Sequence, residues 1–453
     1  MKRYRNKWFP ILIIWALLGS CGGNSDSSKE ETDTSVDTAT ETLTQEATET
    51  TSQTSTTLVD LATTTTSTTT TSTTTTSTTT TSTTTTSTTT TTQPSDPIGL
   101  QDPSACYLNA PSGYEIHLGH SRPADRLPST GTVEAVVLFA DFQDVAANQT
   151  TEEIFSIISP GGEAFFNDQS YGKLELSFRP YHEWLRLSGP STAYKEAIKT
   201  FSGHRDFLQE AIDLADASVD FTGADAVLVV STPNATEVGY GPAFIGGSWG
   251  PDAYLSADGM AIKNGVTSGA DLTYWGDLWY PHEMGHSLGL PDLYGALIPG
   301  RDGFTRPFSL MDDIGSSAPG YMGYSRWILR WLSDSQVACV VDDADVVLTP
   351  IENAEGLKIA VIPVSTSKDL VVESRRAIGY DSSLNQEGVV VYYVNTEKST
   401  QNHWNGGLGQ GPMEVLNDAK ALLIGESVNY ENITVTVLDS ESSGDSVRIE
   451  VAN

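Results

Sequence analysis

The sequence predicts an α+β fold in two parts, a mixed α/β domain over residues 98–334 and a smaller all-β domain over residues 335–453. In the first part, apolar runs typical of strands alternate with segments whose apolar residues recur at helical spacing. From about residue 335 the pattern changes to short β-type runs separated by Gly, Asn and Asp, which is typical of a β-sandwich. Residues 1–97 fit neither pattern.

The chain carries far more acidic than basic residues. Its 453 residues include 25 Lys and Arg against 58 Asp and Glu, which gives a formal net charge of −33. Such a surface repels nucleic-acid phosphates, so non-specific nucleic-acid binding is excluded as a function. Beyond the N-terminal region no segment approaches roughly 18 consecutive apolar residues, and this excludes a membrane protein with several spans.

Residues 1–20 are typical of an export signal, with a basic start followed by an apolar run over residues 8–18. The segment Leu18-Gly19-Ser20-Cys21 resembles the bacterial lipobox, in which the Cys thiol is acylated and the preceding peptide bond is cut. We therefore expect Cys21 to bear the lipid of an exported bacterial lipoprotein, anchored to the cell membrane and facing outside. The alternative is an ordinary secretory signal that contains an unrelated Cys.

Residues 21–97 are predicted to be a disordered stalk. Residues 63–92 consist only of Thr and Ser, and most of them follow a five-residue repeat of four Thr and one Ser. With no apolar face, such a segment cannot offset the entropy lost on ordering. Two alternatives remain open, a glycosylated and stiffened stalk or a bare flexible linker.

The first domain shows several elements in order. Val133–Phe142 is a strand-type run, Glu152–Ile158 and Asp206–Ala215 have helical spacing, and Ala226–Ser231 is typical of a buried strand. The Gly-rich segment 239–250 is either the rim of a cleft or a surface loop.

The second domain contains six predicted strands, whose residues are largely β-branched or aromatic. They are Val346–Leu348, Leu357–Pro363, Leu370–Ser374, Gly388–Val394, Ile433–Leu438 and Val447–Val451. Glu373 and Arg375 are predicted to be a structural pair. The domain either binds a substrate or surface, or stabilises the first domain.

The strongest chemical signal is the helical motif that contains His282, Glu283 and His286. The two His residues are four positions apart, so on a helix they share one face and can both reach one Zn²⁺. Glu283 would lie beside the same cleft, where a carboxylate can take a proton from water as it attacks a carbonyl group. The motif therefore predicts a catalytic zinc site with Glu283 as the general base.

The residues after the second His predict a third ligand. Gly289 would end the helix because Gly tolerates a left-handed φ, and Pro291 would prevent the helix from resuming. Asp292 would then reach the metal, and two His with one carboxylate leave the open position typical of catalytic zinc. Alternatively, the His residues are ordinary helix residues with Asp292 as a cap, or Asp312 or Asp313 replaces Asp292 as a ligand.

With the following Leu-Tyr-Gly, this HExxHxxGxxD pattern resembles the immune inhibitor A-like family of bacterial secreted metallopeptidases, relatives of the metzincins. The resemblance covers roughly residues 130 to 450. It implies a zincin- or metzincin-like catalytic domain with a mixed β-sheet and an active-site helix, followed by a β-rich C-terminal portion.

Four further segments are similar to parts of that family. Residues 307–315 resemble its Met-turn, which would place Met311 beneath the metal, and Ser316–Leu332 resembles the helix that follows. Residues 136–144 resemble the family's first strand, and residues 170–174 resemble its SYGK turn. Asp313 stands where some metzincins have a Tyr, and nothing in the sequence ranks Tyr294, Tyr321 and Tyr324 as its replacement.

Cys106 and Cys339 are the two cysteines left after Cys21, and in an exported chain an isolated pair is expected to form a disulfide. The alternative is that the Cys106 thiolate occupies the metal site as an inhibitor. A Ca²⁺ site is a further possibility, because several Asp residues lie in predicted loops. These are Asp141, Asp144, Asp216, Asp220 and Asp225.

The sequence thus predicts a lipid-anchored, surface-displayed zinc endopeptidase with protein or glycoprotein substrates, acting as a monomer. The alternative from another functional class is a non-catalytic surface adhesin on the same fold. The intact His282, Glu283 and His286 favour the enzyme, because loss of function usually removes one of these residues first.

Overall fold

The computed structural model describes residues 99–112, 116–246, 250–294, 303–398 and 411–452, which belong to one compact unit. The predicted signal peptide, Cys21 and the predicted stalk lie outside the described residues. No helix in the described ranges is long and apolar enough to span a membrane.

The described residues form a mixed α/β structure in which strands predominate. The helices are α1 (Thr151–Ile158), α2 (Gly161–Gln169), α3 (Ser191–Ala197), α4 (Phe201–Ala215), α5 (Leu272–Trp275), α6 (Trp279–Ser287) and α7 (Gly323–Ile328). The strands of the first part are β1 (Leu100–Gln101), β2 (Gly131–Asp141), β3 (Leu174–Arg186), β4 (Ala226–Ser231), β5 (Ala243–Ile245), β6 (Leu255–Ala257), β7 (Met260–Ile262) and β8 (Asn264–Ser268). The later strands are β9 (Val337–Val340), β10 (Ala344–Leu348), β11 (Ile359–Ser365), β12 (Lys368–Arg375), β13 (Gly388–Asn395), β14 (Met413–Val415), β15 (Ser427–Tyr430), β16 (Ile433–Glu441) and β17 (Gly444–Val451).

A five-stranded sheet in the order β3-β2-β4-β8-β5 organises the first part. The first four strands are parallel and β5 is an antiparallel edge strand. Alternate residues of β2 point to opposite sides, with Val137 packing against α1 and α2 and Leu138 packing against α4. Burial on both faces explains why this strand is apolar throughout. The predicted strands at Val133–Phe142 and Ala226–Ser231 are confirmed, as are the two predicted helices.

Two sheets form the second part. One is six-stranded, in the order β1-β9-β11-β12-β13-β14, and the other is four-stranded, in the order β10-β17-β16-β15. On β13, Val391 and its alternate neighbours face the four-stranded sheet, whereas Val390 and Tyr392 face the core of the first part. The hydrophobic core therefore continues without interruption across residue 334. All six predicted strands of this part are confirmed.

The predicted helix over Ser316–Leu332 is wrong, because only its centre forms a helix, α7. In the preceding loop, tertiary partners take the backbone groups that a helix would use. Gly320 N–H donates to Asp381 Oδ1 at 3.2 Å, and Tyr321 N–H donates to Gln169 Oε1 at 2.8 Å. Pro319 also lacks the N–H that a helix interior requires.

The predicted disulfide between Cys106 and Cys339 is confirmed, with the two Cα atoms 5.7 Å apart. It attaches the segment before β2 to β9. Because both sulfur atoms are used, the alternative of an inhibitory Cys106 thiolate is excluded. The predicted structural pair is also confirmed, with Arg375 Nε and Glu373 Oε1 2.7 Å apart and both side chains fully buried.

His204 links α4 to β8 of the first sheet and makes stability depend on pH. Its Nε2 lies 2.7 Å from Thr267 Oγ1 on β8, and burial lowers the pKa of His204 from 6.5 to about 3. The folded state therefore binds fewer protons than the unfolded state between these values, so stability falls as the pH falls from 6.5 towards 3.

We expect this His to cost roughly 2–3 kcal/mol of stability between pH 6.5 and 4.5, at about 1.4 kcal/mol per pH unit. Urea unfolding of wild type and His204→Gln at both pH values measures the effect. The variant should lose less stability on acidification than the wild type. Equal losses in both proteins would show that His204 is not the group responsible.

Candidate metal centre

Helix α6 carries the candidate catalytic residues and ends where the sequence predicts. Gly289 has φ +102°, a left-handed conformation that favours Gly. Its N–H donates to His286 O at 2.8 Å, and Leu290 N–H donates to Gly285 O at 2.9 Å. These two bonds satisfy carbonyl groups at the helix end and direct the chain back towards the cleft.

This turn brings Asp292 to the two His residues. Asp292 Oδ1 lies 3.3 Å from His282 Nε2 and 3.3 Å from His286 Nε2. One ligand atom from each of the three residues lies within 4.8 Å of the other two. All three side chains are at least three-quarters buried. Their role as metal ligands remains a prediction, and the structure gives them a geometry compatible with it.

The second nitrogen of each ring is fixed by a backbone carbonyl. His282 Nδ1 lies 3.0 Å from Leu310 O, and His286 Nδ1 lies 2.8 Å from Leu290 O. Because a carbonyl oxygen only accepts, each Nδ1 carries a proton, and the Nε2 of a neutral ring presents a lone pair to Asp292. This is the orientation of His metal ligands, whose Nδ1–H is held by an acceptor while Nε2 faces the metal position.

The close approach of these groups also shifts their pKa values. Burial disfavours the charged form of His286, but the negative charge of Asp292 outweighs it and raises the pKa of His286 to about 9. Burial likewise opposes ionisation of Asp292, yet the adjacent His residues hold its pKa well below the usual range. Burial raises the pKa of Glu283 to about 7, although the nearby His282 and His286 oppose this shift.

Met311 packs against α6 at Gly285, and its role in a Met-turn beneath a metal stays a prediction. A Cβ atom at position 285 would lie only 2.7 Å from Met311 Sδ and 3.1 Å from the Tyr321 hydroxyl. Gly285 therefore allows the Met side chain to approach the helix one residue before His286. Met311 is buried, and its carbonyl accepts from Leu293 N–H at 2.8 Å, which connects it to the segment that carries Asp292.

An open cleft of about 290 Å³ lies in front of these residues. Glu283 and the three candidate ligands form one wall, and Tyr240, Gly241 and Ile245 contribute to another. Five residues of the Gly-rich segment 239–250 thus line the cleft, as one of the two alternatives predicts, while residues 247–249 lie outside the described residues.

The structure distinguishes the three Tyr residues that the sequence could not rank. Tyr294 lines the cleft and hydrogen-bonds Asp292, and burial together with the charges of Asp292 and Glu283 raises its pKa far above the usual value. Tyr321 instead donates to Pro281 O at 2.7 Å inside the core, and Tyr324 is fully buried. Tyr294 is therefore the hydroxyl donor next to the candidate ligands.

Sequence reasoning missed two residues of the site, Tyr240 and Asp271. Asp271 Oδ2 accepts from Trp279 Nε1 at 3.2 Å and from Gly241 N–H at 3.4 Å, so it ties the rim of the cleft to the start of α6. Burial raises its pKa to about 6. Neither residue belongs to the motif, and only the folded structure shows that they lie near α6.

The alternative acidic ligands have other partners. Asp312 Oδ2 accepts from Thr305 N–H and from Arg306 N–H at 2.9 Å, and Asp313 pairs with Arg306 at 3.1 Å. Among the predicted Ca²⁺ residues, Asp141 pairs with Arg186 and Asp144 binds Ser191. In the described ranges, the group around Asp292 is the one cluster of His, Cys, Asp or Glu residues with ligand spacing.

Comparison of the chain with models of known protein families gives no match, and comparison with curated proteins gives no significant similarity. The functional assignment therefore depends on the geometry of the site and on the motif itself.

Proposed function

We propose that this protein is a zinc-dependent endopeptidase. One observation supports it above the others: His282, His286 and Asp292 place three ligand atoms around one point, next to Glu283 and at the edge of an open cleft. Two nitrogen ligands and one oxygen ligand with a position open to the cleft fit catalytic zinc, whereas structural zinc sites are closed by four protein ligands.

Zinc bound by these residues would supply Lewis acidity, lowering the pKa of a water molecule and polarising the scissile carbonyl group. The Glu283 carboxylate would take the proton from the attacking water and deliver it to the leaving amine. Tyr294 holds Asp292 in place through its hydroxyl group. Asp271 holds Gly241, at the rim of the cleft, in a fixed position relative to the start of α6. This contact sets the width of the cleft.

The proposal includes an exported lipoprotein whose substrates are extracellular proteins or glycoproteins. The basic start, the apolar run and the lipobox-like segment ending at Cys21 support export. The disulfide between Cys106 and Cys339 also supports it, because disulfides persist mainly in oxidising compartments.

The metal assignment is tested by replacing the proposed third ligand. We expect the full chain to bind about one zinc ion and to cleave casein, and a chelator to abolish cleavage reversibly. Asp292→Ala should weaken zinc binding by more than about 100-fold, because it removes a ligand rather than a supporting residue. Metal analysis after dialysis and casein digestion provide the two measurements.

The matched control is Asp313→Ala, which removes a nearby carboxylate that pairs with Arg306 instead. It should keep both zinc and activity. If Asp313→Ala loses zinc and Asp292→Ala keeps it, the ligand assignment is wrong. A wild-type chain that binds no zinc would leave the adhesin as the better explanation.

A further inference from the structure

A second cavity of about 850 Å³ lies at the C-terminal end of α6. Among the described residues it shares no lining residue with the candidate cleft. Its walls come from the segment before β2, the turn before β3 and the end of α7. Arg122 connects the cavity to the end of α6, because its guanidinium donates to the carbonyl oxygen of Leu288, the residue after the helix, at 2.6 Å.

The charge of this cavity is opposite to that of the chain. The whole sequence has more than two acidic residues for every basic one, with 58 against 25. Among the described residues, the cavity is lined by four basic side chains, Arg122, Arg126, Lys173 and Arg330, and by one carboxylate, Asp334. A concentration of positive charge in so acidic a protein requires an explanation.

Among the described residues, no carboxylate neutralises three of these cations, Arg122, Lys173 and Arg330. Arg122 donates to the carbonyl groups of Leu127 and Leu288, and Lys173 Nζ donates to Trp331 O at 2.6 Å. In the part of the chain that the structure describes, Arg122, Lys173 and Arg330 form no ion pair within 4.0 Å. Carbonyl groups accept hydrogen bonds from these side chains but leave their full charges uncompensated.

Asp334, the carboxylate among the described lining residues, binds two neutral donors. Asp334 Oδ1 accepts from the Tyr107 hydroxyl at 3.1 Å and from Trp327 Nε1 at 3.1 Å. One of its two oxygen atoms thus accepts hydrogen bonds from neutral donors of the aromatic wall. Burial and the like charges of Arg330 and Arg126 lower the pKa of Arg122 to about 10, which agrees with a strongly positive local potential.

We propose that this cavity binds a small organic anion that carries several carboxylate or phosphate oxygens. Such an anion would compensate the charges of Arg122, Lys173 and Arg330 together, with Arg122 presenting a planar guanidinium suited to both oxygen types. The cavity volume exceeds that of an inorganic ion and matches the usual size of small-molecule sites. The proposal does not depend on the peptidase assignment.

Arg330 offers the clearest test, because it is exposed at the cavity rim and has φ +63°. Asn tolerates a left-handed φ, so Arg330→Asn removes the charge without demanding a new backbone conformation. Lys420→Asn is the matched control, since Lys420 is an exposed cation outside the cavity and the substitution changes the net charge equally.

The full chain is titrated by calorimetry with inorganic phosphate and, separately, with tricarballylate (a tricarboxylate). We expect the wild type to bind at least one of them at millimolar concentration or below. Arg330→Asn should weaken binding about tenfold, and Lys420→Asn should leave it unchanged. The anion that binds more tightly identifies the oxygen type.

The proposal is overturned if neither anion binds the wild type, or if both variants weaken binding equally, which would indicate only a response to net charge. Circular dichroism of Arg330→Asn provides the check that the variant is folded. Zinc content and casein cleavage are measured separately, so failure of this site and failure of the proposed peptidase are distinguishable.

Discussion

Glu283→Gln should lower the rate of peptide hydrolysis by about 10²–10⁴-fold, the range expected for loss of a general base. The amide keeps the size of the side chain but cannot accept a proton from water. Because the candidate ligands are His282, His286 and Asp292, the zinc content should remain that of the wild type. The measurement is kcat for a fluorogenic peptide together with metal analysis of the same sample.

Glu183→Gln is the control for this prediction, because Glu183 is an exposed residue of β3 outside the cleft. It should leave kcat and zinc content unchanged. A Glu283→Gln variant with wild-type kcat would remove Glu283 from the mechanism. A variant that loses its zinc as well would show that the side chain supports the metal site rather than transferring a proton.

Arg375→Met should reduce the free energy of unfolding by about 3–5 kcal/mol, the cost of removing one partner from a buried charge network. Arg375 pairs with Glu373 at 2.7 Å and with Asp381 at 2.6 Å, and all three side chains are essentially inaccessible to solvent. The Met side chain fills much of the same volume but leaves both carboxylates without their cation. Urea unfolding at neutral pH measures the loss.

The same substitution should also weaken zinc binding. The Arg375 guanidinium donates to Phe308 O at 3.2 Å and to Tyr321 O at 3.4 Å. These residues flank the turn that places Met311 beneath α6. Without the guanidinium this turn loses two of its attachments to β12, so we expect the metal site to become less well ordered.

Arg448→Met is the matched control for Arg375→Met. Arg448 forms a bidentate pair with Asp345, with both distances 2.8 Å, but its side chain is half exposed. Its loss should cost much less stability than the loss of Arg375, because water already screens an exposed ion pair. Equal losses of stability in the two variants would show that burial does not determine the strength of the Arg375 network.

Much of the candidate site could be predicted from the sequence, because its central residues lie close together in the chain. The four-residue spacing of His282 and His286 places them on one helical face, whatever the helix packs against. Gly289 terminates α6 through its own backbone freedom, and this brings Asp292 back within a few residues. Local geometry alone therefore brings the proposed ligands together.

The walls of the site could not be predicted in the same way. Tyr240 reaches the cleft because β5 pairs with β8, and Asp271 supports the rim from behind by binding both Gly241 and Trp279. The loop before α7 shows the same limit, since its backbone hydrogen bonds go to Gln169 and Asp381 rather than to a helix. These contacts join residues distant in sequence, and hydrophobic periodicity carries no information about them.

By itself, the sequence determined the helix that carries His282 and His286 and its end, the apolar strands, the pairing of Cys106 with Cys339 and the excess of negative charge. Each follows from short-range geometry, from the hydrophobic pattern or from composition. Only the tertiary structure decided which Tyr faces Asp292, how Arg375 attaches the Met311 turn, and where four basic side chains gather in one cavity. Those features depend on the packing of segments that are distant in sequence, because burial and neighbouring charges change the chemistry of a side chain.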